Sequence, residues 1–454
     1  MRRMWMVVLV ALAVAAGCTT GGIGGSPGFF GLGAGIGGDP GARIPDEPLP
    51  DHFVRLGKAP VRNYAGRASV RISRSGRYVG FVSDEAGLTA DADEPGTLDV
   101  FLLDRATGDT VRVTDGSPQP DLGPDLSVDI ELSVPQDSGV MGFRAGAADS
   151  AWIHTAEGEL CTACRYVPGV GIQKAEPLPL PPGLMPYCGQ DVVGDWALYR
   201  CEESPGAPVE FYAGPVGGEP TLVLTLPGVG LFDSLRVERR SDNGRYAVIA
   251  DGPMLGLLGR RFSHLDLQTG QFTDLNIRFS GLNPLIQRLP SVTAATDDGK
   301  VVYGYLVMDY RIQYGYLTGG VWVADPATNS TARVPGLGMV VHAWGSSNGR
   351  WLVTKEYPDS ELGRDHAAEG RPAPPSRFFL TDRLDPTARY ELPIWADHTP
   401  TDGLDLDYPF PWSGTGFVGN DGSFVLHTST PLTAGESVDD GYDTYLWDNP
   451  NTAP

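Results

Sequence analysis

Short runs of apolar and polar residues, divided by glycine turns, fill most of the chain after residue 50. At seven places a turn centred on glycine leads into a short β-branched or aromatic run. The glycines of these turns are Gly76, Gly139, Gly194, Gly244, Gly299, Gly349 and Gly422. Asn-Gly and Asp-Gly between apolar runs are strong hairpin signals, because both turn residues need positive φ. The pattern therefore predicts an all-β fold built from consecutive hairpins.

A second signal follows most of these turns. It is an aromatic strand that ends in Asp and leads into a Thr-Gly type of turn, most clearly at DVFLLDRATG (Asp104, Gly108) and FSHLDLQTG (Asp266, Gly270). The Asp side chain caps such a turn, and Gly or Asn takes its left-handed position. The turn glycines are 50 to 73 residues apart. Regular spacing with only strands between the turns is typical of a β-propeller, in which each blade is one small sheet.

The two ends of the repeat region complement each other. Segments 88–104 and 432–448 align without a gap, and both run from Leu-Thr-Ala to a final Asp. Only NPNTAP follows Asp448, so the last unit lacks a fourth strand, while residues 53–56 (FVRL) read like that strand. We therefore predict a seven-bladed β-propeller over residues 51–454, with its last blade closed by an N-terminal strand.

The repeat motifs themselves, above all SRSGRYVGFVS and DVFLLDRATG, resemble the WD-repeat-like, TolB-type β-propeller repeats of exported bacterial proteins. The resemblance is closest in the first and last units. It implies a fold more than a reaction, since that family includes non-catalytic binding proteins and the substrate-gating domains of some peptidases.

The first 18 residues have the features of an export signal. Arg2 and Arg3 precede an apolar run from Met6 to Ala16, which is shorter than the roughly 20 residues that span a bilayer. The small residues before Cys18 resemble the lipobox of bacterial lipoproteins, which implies a signal peptide at 1–18 and a lipidated Cys18. An ordinary secretory signal cleaved near Ala16 is the alternative.

The segment that follows predicts how the folded part is held. Residues 19–50 are rich in glycine and have no periodicity, so we expect a flexible tether. These features predict a lipid anchor in the cell envelope, at the outer membrane or on the periplasmic or extracellular face. Thr19 after Cys18, where Asp would favour inner-membrane retention, favours outer-membrane sorting.

The charge balance limits the class of partner. The net charge of −22 repels phosphate backbones, so we expect no nucleic-acid partner. An acidic surface could attract cations or basic partners, although a plain solvated surface explains it as well. We expect a monomer.

Four cysteines remain once Cys18 is assigned to lipid, an even number in an exported chain. If Gly194-Asp195 is a two-residue hairpin turn, Cys188 lies opposite Cys201 at a non-hydrogen-bonded pair, where a disulfide fits. Cys161 and Cys164 would then pair by elimination. Their CxxC spacing is also found in redox and metal sites, but here it lacks a second ligand pair.

Two predicted loops are acidic enough to suggest calcium. Asp91, Asp93 and Glu94 lie in the first loop, and Glu436, Asp439 and Asp440 lie in the last. Their carboxylates could supply the oxygen ligands that calcium prefers, although neither loop fits the EF-hand template and simple solvated turns remain the alternative. We expect no other cofactor.

Residues 345–349 fit the G-x-S-x-G pattern of a nucleophile elbow, but that motif needs a strand-to-helix turn and here falls on a hairpin. No catalytic constellation stands out in the sequence. The leading hypothesis is a non-catalytic binding or scaffolding module for an envelope protein, peptide or glycan. The alternatives are a lyase or hydrolase with a site at the central channel, assisted by calcium, and a purely structural envelope protein.

Overall fold

The computed structural model describes most of the repeat region, with gaps at several loops. The described residues are 52–59, 70–83, 85–89, 99–112, 130–133, 140–145, 164–167, 171–174, 184, 188–193, 196–204, 206–215, 218–228, 233–253, 261–278, 281–283, 286–309, 316–357, 377–385, 387–392, 418–428 and 442–450. Within these ranges every regular element is a strand, and none of them contains a helix of the length and apolarity needed to cross a membrane.

The described strands form seven antiparallel sheets, which we number in chain order. Sheet 1 contains β2 (Val70–Ile72), β3 (Tyr78–Ser83), β4 (Asp99–Asp104) and β5 (Asp109–Arg112). Sheet 2 contains β6 (Ile130–Ser133), β7 (Val140–Ala145), β8 (Cys164–Val167) and β9 (Gly171–Lys174). Sheet 3 contains β10 (Gly189–Val193), β11 (Trp196–Glu202), β12 (Val209–Pro215) and β13 (Thr221–Leu226).

The second half of the chain repeats this plan. Sheet 4 contains β14 (Asp233–Arg240), β15 (Tyr246–Pro253), β16 (Arg261–Asp266) and β17 (Gln271–Arg278). Sheet 5 contains β18 (Gly281–Asn283), β19 (Ile286–Ala295), β20 (Val301–Asp309), β21 (Tyr316–Asp325) and β22 (Ser330–Arg333). Sheet 6 contains β23 (Met339–Gly345), β24 (Trp351–Tyr357), β25 (Arg377–Asp382) and β26 (Arg389–Leu392). Sheet 7 contains β27 (Phe424–Thr428), β28 (Tyr442–Trp447) and β1 (Phe53–Ala59).

In sheets 1 to 6 each strand pairs with the next one along the chain, which is the meander of a propeller blade. The all-β propeller predicted from the hairpin pattern is thus confirmed. Sheet 5 departs from the four-strand plan, because the short β18 pairs with the start of the ten-residue β19. The repeat pattern did not predict this added strand.

The last sheet is closed by the N-terminal strand, as predicted. β1 pairs antiparallel with β28, with Phe53 opposite Trp447 and Arg55 opposite Tyr445. The strand extends to Ala59, three residues beyond the predicted segment. The ring of Phe53 lies edge-on to that of Phe424, with centroids 6.1 Å apart. Side-chain packing as well as backbone pairing therefore holds the N-terminal strand in sheet 7.

Among the described residues, apolar clusters fill the spaces between neighbouring sheets from sheet 3 round to sheet 1. Phe211 and Leu265 share the cluster between sheets 3 and 4, and the next cluster joins sheets 4 and 5. One large cluster spans sheets 6, 7 and 1 and includes Trp351, Phe424 and Phe81. Complete burial of one such aromatic side chain contributes about 1.5–3 kcal/mol, so these clusters provide much of the cohesion between neighbouring sheets.

Four aromatic side chains on the strands show this packing. Trp351 and Trp447 are buried in the large cluster, and Trp322 is partly buried beside Tyr303. Tyr246 is half-buried and stacks against the imidazole of His264 at 5.2 Å.

Candidate functional site

The turn between the first two strands of a sheet has the same chemistry in several repeats. In sheet 4 the hydroxyl of Ser241 accepts a hydrogen bond from the backbone N–H of Tyr246 at 2.9 Å, and Gly244 has a φ of 72°. Ser73 and Tyr78 form the same bond in sheet 1. The conformation explains the glycine, since a side chain at positive φ is strained. These bonds fix the tips of the turns relative to their strands.

The arginine after the turn glycine binds the aspartate that ends the third strand of the same sheet. Three sheets contain the pair, and its members are Arg77–Asp104, Arg245–Asp266 and Arg350–Asp382. Arg245 donates from two nitrogens to Asp266, at 3.0 and 2.7 Å. Burial acts to raise the pKa of Asp266, but the hydrogen bonds from Arg245 and from the N–H of Gln268 outweigh it and hold the pKa below its usual value.

These aspartates also cap the following turn, as the sequence predicted. The N–H of Ala106 donates to Asp104 at 3.0 Å, and that of Gln268 donates to Asp266 at 3.0 Å. The left-handed position is taken by Gly108, Gly270 and Asn329, with φ of 77°, 71° and 51°. The arginine–aspartate pairs are therefore structural parts of each sheet.

Polar side chains from five hairpin turns meet in one network, which we call the central hub. Its members all stand two residues before a turn glycine: Arg74, Asp242, Asp297, Ser347 and Asn420. Arg74 donates to Asp242 at 2.9 Å and to the carbonyl of Ser241 at 3.0 Å. Asn420 donates to the other carboxylate oxygen of Asp242 at 2.5 Å.

Further bonds extend the central hub to sheets 5 and 6. The N–H of Asn420 donates to the carbonyl of Arg74 at 2.7 Å. The side-chain oxygen of Asn420 accepts bonds from the Ser347 hydroxyl at 3.2 Å and from the N–H of Asn348 at 3.1 Å. The N–H of Asn243 donates to Asp297 at 2.8 Å. The central hub thus links the turns of sheets 1, 4, 5, 6 and 7.

A second polar cluster joins sheets 1 and 7 on the same side of the ring. Arg105 donates to Asp421 at 2.8 Å, to Ser423 at 2.9 Å and to Asp448 at 2.7 Å. It also bonds to the carbonyl of Gly76. The Arg105 side chain is only 6% exposed. Removing it would leave partly buried carboxylates without their cation.

Sheet 6 contains a third polar cluster, which reaches from the start of β23 to β26. The Glu356 carboxylate accepts bonds from the Gly338 N–H at 2.7 Å, the Thr354 hydroxyl at 2.6 Å and Arg389 at 2.8 Å. His342 pairs in register with the buried Lys355. Burial and then the charge of Lys355 lower the pKa of His342 to about 3, so its imidazole is neutral at physiological pH.

The structure describes three of the predicted site residues, and the others lie outside the described ranges. Val193 pairs with Trp196 across the hairpin, and a disulfide joins Cys188 to Cys201 with their Cα atoms 4.2 Å apart. Of the other proposed pair, Cys164 begins β8 and Cys161 lies outside the described residues. The remaining candidates also lie outside them, namely Cys18, Asp91, Asp93, Glu94, Glu436, Asp439 and Asp440. Within the ranges described above, no group of three or more His, Cys, Asp or Glu side chains could hold a metal ion.

The G-x-S-x-G segment lies on the hairpin between β23 and β24. Its serine, Ser347, belongs to the central hub, and Gly349 has a φ of 67°. The motif therefore serves turn geometry here, as its position in the repeat predicted.

The sequence did not predict the central hub. A usable signal was present, because a polar residue stands two positions before the turn glycine in six of the seven repeats, five of which the structure describes. The residue types differ from turn to turn, so their complementarity becomes visible only when the turns converge. The second unit carries Asp137 at the same position, outside the described residues.

No family model and no curated protein matches the chain. Solved structures with a similar fold include an oligogalacturonate lyase in complex with manganese, at 12% identity over 89% of this chain and 97% of that one, with a TM-score of 0.47. Hydrazine synthase of Kuenenia stuttgartiensis is 13% identical over 85% of this chain and 96% of that one, with a TM-score of 0.38. TolB from Acinetobacter baumannii is 14% identical over 82% of this chain and 80% of that one, with a TM-score of 0.29. Likeness at this level assigns no activity.

Proposed function

We propose that the chain is a non-catalytic binding or scaffolding module, held in the cell envelope by a lipid on Cys18. The observation that carries this proposal is the central hub. Charged and amide side chains that could have served catalysis instead bond to one another between turns. Networks that are fully bonded in this way rigidify a structure, and rigid scaffolds suit recognition surfaces.

The placement of the N-terminus supports the anchoring part of the proposal. The proposed signal peptide spans residues 1–18, the glycine-rich segment 19–50 follows, and β1 begins at Phe53. A lipid at Cys18 would therefore connect to the propeller through the strand that closes its last sheet. The partner we propose is an envelope protein, peptide or glycan, with basic segments favoured by the net charge of −22.

The anchoring part is tested by metabolic labelling with a fatty acid in an exporting bacterial host. We expect the full-length chain to incorporate the label and to sediment with membranes. The Cys18→Ser variant should lose both properties, whereas Cys164→Ser, a matched change at another cysteine, should keep them. Equal labelling of the wild type and Cys18→Ser would contradict the anchor.

The non-catalytic part is tested with the purified chain. We expect no turnover of acidic polysaccharides or peptides, with or without added calcium, and saturable binding to a partner recovered by crosslinking in cells. Turnover that depends on protein concentration and survives repurification would overturn the proposal in favour of an enzyme. Failure to recover any partner that binds in purified form would favour a structural role.

A further inference from the structure

We infer that the outer edge of sheet 3 is a docking surface for a basic, extended peptide segment of a partner protein. The surface, which we call the β13 rim, consists of Leu222, Val223 and Leu224 on β13 and Phe272 on β17. The inference rests on the proposed binding function, to which it adds a surface of described residues and one class of partner.

Among the seven described outer strands, β13 alone carries no charge. Each of these strands has one side that pairs with no other described strand. The other six contain at least one Lys, Arg, Asp or Glu, and they are β1, β5, β9, β17, β22 and β26. Charged residues on an edge strand discourage its pairing with another chain. The sequence of β13, TLVLTL, lacks this protection and is rich in residues that favour strands.

Apolar side chains stand on both faces of this edge. Leu222 is 50% exposed and Phe272 is 39% exposed, and they are two of the four large apolar side chains that are exposed in the described part. Leu222 lies on the face away from sheet 4, whereas Phe272 pairs with Leu265 of the cluster between sheets 3 and 4. Gly270, at the start of β17, lies against the carbonyl of Val223. A segment docked along β13 would therefore bury apolar surface on both of its faces.

A β-bulge limits how much of the affinity backbone pairing can supply. The register between β12 and β13 shifts next to Val223, and such a bulge twists the edge. A docked strand would pair with only a few residues on either side of the bulge. Contacts with Leu222 and Phe272, together with charge, would therefore supply most of the selectivity.

The charges around the β13 rim favour a basic partner. Residues 188–228 contain six acidic residues and one basic residue, Arg200, whose guanidinium already binds a carboxylate of the same sheet at 2.7 Å. The exposed Glu219 precedes β13, and the exposed Glu203 lies in the turn that Gly228 contacts just after β13. Within the described ranges no Lys or Arg pairs with either glutamate. Basic residues at both ends of a docked segment would meet these carboxylates.

The same charges disfavour a second copy of this chain as the occupant. Pairing of two identical edges about a twofold axis is antiparallel, so the start of β13 in one copy would lie beside its end in the other. Glu219 of each copy would then approach Glu203 of the other, and like charges across a strand pair are destabilising. The net charge of −22 opposes self-association further.

Two labelled peptides with blocked termini test this chemistry on the full-length protein. The probe is Lys-Leu-Thr-Val-Thr-Leu-Lys, its control has Glu in place of both Lys, and fluorescence anisotropy measures the binding of each. We expect the probe to bind about tenfold more tightly than the control. Glu219→Gln should weaken binding of the probe by about threefold. Equal binding of the two peptides, or binding of neither, would overturn the inference.

Two lysine substitutions locate the binding. Leu222→Lys places a charge in the β13 rim and should weaken binding of the probe by about tenfold. Val54→Lys, at a side chain that is 48% exposed on the outer strand β1, is the matched control and should leave binding unchanged. Both variants should keep the wild-type melting temperature, since both positions are exposed. Equal weakening by both variants, or by neither, would overturn the β13 rim as the site and leave the proposed binding function standing.

Photo-crosslinking in living cells tests the occupant. Thr225 on β13 and Ser330 on β22 are both exposed residues of outer strands. With benzoylphenylalanine in place of Thr225 we expect an adduct with another protein, which Leu222→Lys abolishes, and with it in place of Ser330 we expect none. An adduct between two copies of this chain would overturn the inference. No adduct at Thr225, with a partner recovered by other crosslinks, would overturn it but spare the proposed function; recovery of no partner by any crosslink would count against that function as well.

Discussion

His264 makes the propeller sensitive to acid in a way that one substitution should remove. Its side chain lies between sheets 4 and 5, is 6% exposed and stacks on Tyr246. Among the described residues Nε2 of His264 has no hydrogen-bond partner. Burial lowers the pKa of His264 to about 4, although the nearby charge of Asp266 acts in the opposite direction.

The sign of the effect follows from proton binding. Between about pH 6.5 and pH 4 the unfolded chain protonates this histidine and the folded chain does not. The free energy of unfolding therefore falls as the pH is lowered through this window. Above the window, the histidine does not affect the free energy of unfolding. The difference in pKa corresponds to about 2.5 kcal/mol lost between pH 7 and pH 4.5.

The assay is urea unfolding of the wild type and His264→Phe at pH 7 and pH 4.5. Phe keeps an aromatic ring against Tyr246 and cannot be protonated, so the acid-induced loss should be about 2.5 kcal/mol smaller in the variant. Because both proteins contain the same other titrating groups, the contribution of those groups cancels when the two pH dependences are subtracted. Tyr246→Phe keeps His264 and should retain the wild-type pH dependence. Equal pH dependence in the wild type and His264→Phe would refute the assignment of a buried neutral imidazole.

Three further predictions concern the closure of the ring and its crosslink. Phe53→Ala should lower the free energy of unfolding by about 3–4 kcal/mol, because the buried ring that packs against Phe424 is lost. The adjacent Val54→Ala, at a side chain that is 48% exposed, should cost less than about 0.5 kcal/mol. Chemical denaturation measures both changes, and equal effects would contradict the closure. Arg105→Met should cost about 2–3 kcal/mol, because it removes the buried cation that binds Asp421 and Asp448. Arg377→Met at an exposed pair should cost less than about 0.5 kcal/mol. Replacing Cys188 and Cys201 together by Ala should lower the free energy of unfolding by about 3 kcal/mol, because the disulfide is lost. In the wild type, mass spectrometry after alkylation without reductant should find both cysteines unmodified.

The repeat pattern predicted the fold because hairpin chemistry is local. A glycine at positive φ, such as Gly244 or Gly299, is needed wherever the turn forms, whatever surrounds it. The closure by β1 was also predictable, since a unit lacking its last strand leaves a sheet edge to be paired. The disulfide position followed from the register of one hairpin, with Val193 opposite Trp196.

The polar side-chain contacts within and between repeats were not predictable in the same way. The arginine after the turn glycine and its aspartate partner are 27, 21 and 32 residues apart in sheets 1, 4 and 6. This distance varies with the loop between the second and third strands, so no fixed spacing reveals the pair. Arg74 and Asp242 are 168 residues apart and belong to different repeats. Only the ring geometry brings them together.

The ring closure does not depend on the N-terminal strand alone. β1 completes sheet 7 at its outer edge, whereas Arg105 joins sheets 1 and 7 through side chains of both, and Asn420 joins their turns near the axis. A pull on the chain before Phe53 acts first on the pairing of β1 with β28. The contacts made by Arg105 and Asn420 do not pass through β1, so they still hold sheets 7 and 1 together when the outer strand frays. Fraying of the closing strand would therefore expose one sheet edge without opening the ring.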